Sequence, residues 1–263
     1  MKIIGIIPAR YGSTRFPGKP LAMLGEKTMI QRVYEQACRA DCLAEVIVAT
    51  DDERIAAAVR GFGGTVAMTS TDCANGTERC AEVLASLPAE LAQSIDIVVN
   101  IQGDEPFIHP EQIAQLADIL VQGERFDIAT LVRKISNSEL LFNPNCVKAV
   151  VAESKNTNGN QSENKYGSAL YFSRQPLPFV RGADASDWLQ HADFYQHIGL
   201  YAYRAAHLAR LAALSPTALE RAESLEQLRW LEHGFAIGTA VTAHETVGID
   251  TPEDLIAALK FLK

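Results

Sequence analysis

Residues 2–20 read KIIGIIPARYGSTRFPGKP, and the way this stretch folds constrains everything after it. "KIIGIIP" (2–8) is a short run of consecutive apolar residues, the pattern of a strand covered on both faces. The run stops at Pro8. The next dozen residues carry Arg10, Arg15 and Lys19, two glycines and two further prolines, and no acidic residue occurs before Glu26, although the chain has a formal net charge of -8. A basic loop stiffened by proline, placed directly after a buried strand, suits a small anion. Backbone N–H groups in a Gly-containing turn can approach phosphate oxygens while Arg and Lys neutralise their charge. Neither standard phosphate motif is present. Five residues separate Gly12 from Gly18-Lys19 where the P-loop has four, Pro20 stands where a metal-binding Ser or Thr would follow, and no G-x-G-x-x-G occurs. The plainer reading is a solvated loop with incidental charge.

Outward from this loop, strand and helix patterns alternate. "TMIQRVYEQACRA" (28–40) places Met29, Ile30, Val33, Tyr34, Ala37 and Cys38 at helical spacing. "EVIVAT" (45–50) reads as a strand, 51–64 as a helix ending in glycines, "TVAMT" (65–69) as a strand and "GTERCAEVLASL" (76–87) as a helix. "DIVVNIQGDEP" is a strand entering a polar turn, and 110–122 is a helix with Pro110 at its start. This alternation predicts parallel βαβ units in a doubly wound sheet, whose ligands bind at the carboxyl ends of the strands. The 9–20 loop, 50–52, 69–76 and 102–106 all lie there.

The second half is less regular. Strands are expected at 127–135, 146–152, 168–173 and 197–204, with a polar hairpin tip or mobile loop over 153–167 and a long connection over 181–196. Residues 218–234 read as one strong helix ending at Gly234. The chain closes as strand, turn and helix over 244–262, with Thr251 as N-cap and Pro252 in the first turn. No linker divides the chain. The expectation is one α/β domain over 1–263, with a mostly parallel central sheet, helices on both faces and a smaller mixed subregion in the second half.

Composition narrows the function. Hydrophobic residues make up 48% and charged residues 21%, ordinary for a globular protein. The acidic balance argues against a nucleic-acid binder, and no apolar stretch approaches the ~18 residues that cross a bilayer. The N-terminal apolar run is too short for a signal peptide, so a cytoplasmic protein is expected. The five cysteines are scattered without a CxxC pair, which favours buried thiols over metal or redox duty. Two carboxylates stand apart: Asp104 follows an apolar strand in "QGDEP", and Asp250 sits in "GIDTPED" at another strand-to-helix turn. Either alone is equally well a turn or capping residue. His197 as a lone strand histidine reads as a satisfied core residue, and Glu226-Gln227 as the wet face of a helix.

"IPARYGSTRFPGKPL" resembles the N-terminal signature of the sugar-acid cytidylyltransferases, which activate 2-keto sugar acids as CMP esters. Tyr11, Thr14-Arg15 and Lys19-Pro20 resemble the form found in the branch that acts on 3-deoxy-manno-octulosonate (Kdo). Eight further blocks agree in order: "VATDDERI", "MTSTDCANGTER", "VNIQGDEPFI", "NPNCVKAV", "ALYFSR", "HIGLYAYR", "ESLEQLRWLEHG" and "GIDTPEDL". The resemblance spans about residues 3–262.

It implies a Rossmann-like nucleotidyltransferase fold, with a CTP-binding half over about 1–135 and a sugar-acid-binding and dimerisation half over about 136–263. Arg10, Arg15 and Lys19 would grip the triphosphate. Asn75, Gly76, Thr77 and Arg79 would serve the nucleotide, with Asn75 standing where many relatives have serine. Asp104 and Asp250 would hold Mg²⁺, the two carboxylates acting with Arg10 and Lys19 as the catalytic set. Gln102, Arg174, His197, Tyr201, Glu226 and Gln227 would meet the sugar acid, and Glu105 would be structural. The implied substrates are CTP and Kdo, the product enters lipopolysaccharide synthesis, and the implied assembly is a homodimer. Open alternatives are the same reaction on an 8-amino Kdo analogue or a sialic acid, and a silent nucleotide sensor.

Overall fold

The computed structural model describes residues 1–12, 15–152 and 166–262. The strands, in chain order, are β1 (Ile3–Ala9), β2 (Met23–Leu24), β3 (Lys27–Thr28), β4 (Glu45–Thr50), β5 (Thr65–Met68), β6 (Ile97–Asn100), β7 (Ile128–Lys134), β8 (Lys148–Ala152), β9 (Gly167–Ser173), β10 (Tyr195–Arg204) and β11 (Ile237–Val241). Two compact units are recognisable. The first comprises Met1–Ala117, Leu200–Ala213 and His244–Lys263, and the second Asp118–Gly199 and Leu214–Ala243.

In the first unit β5, β4, β1 and β6 run parallel in that order, and residues 201–204 of β10 add an antiparallel strand beside β6. Helices Met29–Ala37, Glu53–Gly61 and Gly76–Ser86 connect the parallel strands, as the alternation predicts. Burial explains the apolar runs: Ile6, Ile7, Val48 and Val99 are fully buried, each worth about 1.5–3 kcal/mol. The connecting helices are capped locally. Thr28, Asp52 and Asn75 each accept a hydrogen bond from an N–H of the first turn.

The second unit is mixed. β7 and β11 are parallel, whereas β11–β9, β9–β8 and the pairing of Tyr195 with Ala149 between β10 and β8 are antiparallel. β10 neighbours both β7 and β8, so the strand order returns on itself.

Three expectations need correction. Residues 218–234 form two short helices, Ala218–Glu223 and Gln227–Glu232, because Ser224 turns left-handed (φ 53°) between them. The break lets the Arg229 guanidinium reach back to the Glu220 carboxylate at 2.6 and 2.7 Å. The stretch 244–250 is not a strand. It is held instead by Ile249, which packs with Leu24, Met29 and Ala258, while the last strand is the earlier β11. Of the five free thiols only Cys80 and Cys146 are buried; Cys38 is exposed. The polar segment 153–167 lies, as far as residue 165, outside the described residues.

Candidate active site

A cavity of about 390 Å³ opens in the first unit. Its walls are the end of β1 and the loop after it (Pro8, Ala9, Arg10, Gly12, Arg15, Lys19, Pro20), the start of helix Gly76–Ser86, the turn after β6 (Gln102, Gly103, Asp104) and Asp250. Each wall arises locally. Gly18 takes a left-handed conformation (φ 73°) and its N–H bonds the Tyr11 carbonyl at 2.9 Å, folding the basic loop back on itself. A side chain at Gly103 would begin 2.7 Å from the Pro8 carbonyl, so only glycine lets the β6 turn approach β1 this closely. Asp250 immediately precedes a capping box in which Thr251 and Asp254 bond each other's backbone N–H. Asp254 also accepts from the Asp250 N–H at 3.0 Å, and the Ile249 N–H bonds the Asp104 carbonyl at 3.0 Å. Two segments far apart in sequence are thereby fixed together, with both carboxylates on the cavity.

Lys19 joins them. Its ammonium lies 2.7 Å from Asp104 and 3.1 Å from Asp250, with the side chain only 14% exposed. Arg15 reaches the other oxygen of Asp250 at 3.0 Å from an exposed position. Arg10 is exposed at the rim. The arrangement is a charged cluster with basic groups on one wall and paired carboxylates on another, and the positive end of a helix opens at Gly76. It can hold a polyanion and, between the carboxylates, a cation.

Not every predicted nucleotide residue offers its side chain to this space. Arg79 lines the cavity but is buried, bound to Asp51 at 3.0 Å and to the Thr69 hydroxyl. The Asn75 side chain is spent on capping, accepting from Glu78 N–H at 2.8 Å. Thr77 is buried, and its hydroxyl pairs with the Tyr203 hydroxyl at 3.1 Å. Tyr201, also buried, stacks against Tyr203 with ring centres 6.2 Å apart.

A family model described as "Cytidylyltransferase" matches residues 4–240. The chain belongs to the cytidylyltransferase family. A 3-deoxy-manno-octulosonate cytidylyltransferase of Cytophaga hutchinsonii is 52% identical, covering 97% of this chain and 96% of that protein. One from Geobacter sulfurreducens is 47% identical over the whole of both chains. Among solved structures, a CMP:2-keto-3-deoxy-manno-octonic acid synthetase complexed with CTP superposes with a TM-score of 0.86. It is 39% identical over 100% of this chain and 98% of its own. A Leptospira cytidylyltransferase at 19% identity and TM-score 0.58 shares the fold, an α/β architecture with a mixed sheet.

The remaining sugar-acid candidates of this cytidylyltransferase lie in its second unit, and none lines the cavity. The Arg174 guanidinium donates to the backbone carbonyls of Glu223 at 2.7 Å and Pro144 at 3.1 Å, clasping the break between the two short helices. His197 is half-buried; desolvation drives its pKa down to about 3, so the ring is neutral. One ring nitrogen sits 3.0 Å from the Thr130 hydroxyl, whose proton goes to the Ile198 carbonyl. That hydroxyl therefore accepts from the imidazole. Gln227 is buried and Glu226 half-buried at the start of the second short helix.

One residue escaped the sequence reading. Asn100, at the end of β6, is 3% exposed and its amide oxygen lacks a protein partner, while its nitrogen lies 3.1 Å from where a side chain at Gly76 would begin. Read in one dimension it is merely the last residue of a buried strand. Glu105 carries a buried carboxyl oxygen without a partner, and burial followed by the neighbouring Asp104 charge pushes its pKa up to about 8. The donor set of Asp104 and Asp250 fits a small hard dication: two carboxylates that already share one ammonium can share a metal and leave its other positions to substrate oxygens.

Proposed function

We propose that this chain transfers CMP from CTP to the anomeric 2-hydroxyl of Kdo, releasing pyrophosphate. The observation that carries the reading is the Lys19 ammonium shared by Asp104 and Asp250 on the wall of a cavity that also presents Arg10 and Arg15. Charge-assisted hydrogen bonds of this kind are worth about 1.5–3 kcal/mol each, enough to fix a triphosphate. Arg10 and Arg15 take the outer phosphates. Lys19, held nearly buried, stays close to the bond that breaks and stabilises the negative charge of the leaving pyrophosphate. Asp104 and Asp250 would hold Mg²⁺. When bound there, Mg²⁺ neutralises charge at the α-phosphate and lowers the pKa of the attacking hydroxyl.

The hydroxyl oxygen bonds to the α-phosphorus in line and gives its proton to solvent as the bond to the bridging oxygen breaks and pyrophosphate leaves, and the residues act by positioning and charge rather than by a dedicated base. The start of helix Gly76–Ser86, with Gly76 and the unpartnered Asn100 amide oxygen, would face the cytosine, whose amino group is the donor that uracil lacks. Gln102 on the cavity wall would meet the sugar acid first. His197, Tyr201, Arg174, Glu226 and Gln227 are kept as the sugar-acid set; a neutral histidine and buried amide suit hydroxyl recognition.

The first unit is taken as the Rossmann-like, CTP-binding part, supported by its 3-2-1-4 parallel strand order and by the cavity lying wholly within it. A cytoplasmic homodimer serving lipopolysaccharide synthesis completes the proposal; exposed Leu170 and Val241 on strands of the second unit support a self-association surface, which sedimentation would test. No helix among the described residues is long and apolar enough to cross a membrane.

The test is pyrophosphate release with Mg²⁺ and Kdo against CTP, UTP, ATP and GTP in turn. Release with CTP and Kdo, lost in Asp104→Ala and in Asp250→Ala, is the expected result. Release with 8-amino-Kdo or sialic acid and not with Kdo would move the substrate; no release with any pair would overturn the reading.

A further inference from the structure

Away from the cavity, still in the first unit, a second cluster of ligating side chains occurs. His109 immediately precedes helix Pro110–Gln122, Glu111 lies in its first turn, and His244 arrives from 133 residues further along the chain. Among the described residues, this is the group of three or more His, Cys, Asp or Glu side chains close enough to hold one ion, with its donor atoms all within 4.8 Å of one another. The two imidazoles are stacked, centres 3.8 Å apart and planes 9° from parallel. One Glu111 oxygen lies 2.7 Å from a ring nitrogen of His244 and 4.0 Å from one of His109.

The geometry is informative. A tetrahedral ion with bonds of ~2.1 Å spaces its ligand atoms ~3.4 Å apart. The observed separations bracket that value, but the stacked rings lie in near-parallel planes and an ion sits in the plane of each ring that binds it, so the exposed His109 ring must also turn about its χ angles for a metal to replace the proton between His244 and Glu111. The frame beneath is firm: the His109 N–H bonds the Gln112 side chain at 3.1 Å, and the Glu111 N–H bonds a His109 ring nitrogen at 3.3 Å. That last bond is long enough to yield to a metal. Two imidazoles and one carboxylate select borderline dications such as Zn²⁺, Co²⁺ or Ni²⁺ over Mg²⁺, which prefers oxygen alone.

The placement gives such a site a consequence. His109 lies five residues after Asp104, and His244 six residues before Asp250. Those two segments are already strapped by the Ile249 N–H to Asp104 carbonyl bond at 3.0 Å. We propose that His109, Glu111 and His244 form a site for a zinc-type dication, distinct from the Asp104–Asp250 pair, that staples together the two segments carrying those carboxylates. The inference stands on this cluster alone and does not depend on which sugar acid is activated.

The test is calorimetric titration of the full chain with Zn²⁺, paired with Co²⁺ absorption spectra. One equivalent should bind, raise the thermal midpoint, and persist in the Asp104→Asn/Asp250→Asn double variant. Affinity should fall at least about tenfold in His109→Gln and in His244→Gln, and the midpoint rise should disappear with it. His109 is exposed and His244 half-buried, neither in the core, so these variants should fold, which the metal-free midpoint checks. The Co²⁺ spectrum should show d–d bands without thiolate charge transfer. Unchanged affinity in both histidine variants, a thiolate band tracing the metal to cysteine, or no Zn²⁺ uptake would each overturn the proposal.

Discussion

His197 offers a perturbation whose size follows from its surroundings. The half-buried imidazole has its pKa pushed from 6.5 to about 3 by desolvation. Because the folded value lies below the unfolded one, its share of stability is complete above about pH 6.5 and is lost as pH falls towards 3: the unfolded chain takes up the proton first. Each pH unit in that window costs about 1.4 kcal/mol, so about 2 kcal/mol should be gone by pH 5. The carboxylates held low by their partners, among them Glu35, Asp52, Glu111, Glu220 and Asp254, act in a separate window, since theirs is lost only below the ordinary carboxylate range. His197→Gln keeps an amide that can donate to Thr130 and removes the titration. Urea unfolding of both proteins at about pH 7.5 and about pH 5 should show the wild type losing about 2 kcal/mol more than the variant. Equal losses in the two would mean that the ring is not held neutral in the folded state, and the reasoning would fail.

Three further outcomes are expected. Arg10→Ala, which removes an exposed cavity-wall cation without touching the core, should lower kcat/KM for CTP by about 10–150-fold and leave the unfolding midpoint unchanged, read by steady-state kinetics and a melt. Gly103→Ala forces a methyl to within 2.7 Å of the Pro8 carbonyl, so the turn must retreat from β1; a loss of about 1–3 kcal/mol and a drop in activity are expected, checked by denaturation and by pyrophosphate release. Arg229→Met leaves Glu220 without the guanidinium it binds at 2.6 and 2.7 Å in a nearly buried pair, which should cost about 3–5 kcal/mol; a change under about 1 kcal/mol would show that the break at Ser224 does not depend on the pair.

The legible parts were those built from neighbours in sequence. Strands β1, β4 and β6 announce themselves because parallel strands buried on both faces cannot afford polar positions, and the helices between them carry their own caps at Thr28, Asp52 and Asn75. Arg10, Arg15 and Lys19 were legible for the same reason: one short loop holds all three. What escaped depends on partners distant in the chain. "AIGTAV" is too short and too small to declare itself as β11. Nothing near Ser224 shows that Arg229 and Glu220 prefer a turn to a continuous helix. The resemblance gives Asn75 and Thr77 to the nucleotide; that their side chains also serve a cap and a tyrosine hydroxyl from β10 is set by residues outside the motif.

The sequence by itself therefore determined a basic loop after the first strand and an acidic residue in each of two polar turns, because those features are local and chemically explicit, and its ordered blocks carried the resemblance to the cytidylyltransferases. Only the tertiary structure decided that one ammonium, Lys19, stands between Asp104 and Asp250, that Asn100 is left with an unpartnered oxygen beside Gly76, and that His244 returns to meet His109 and Glu111. Each of these is a distance between residues that chain connectivity leaves free, fixed by the packing of Ile249 and by the close approach at Gly103.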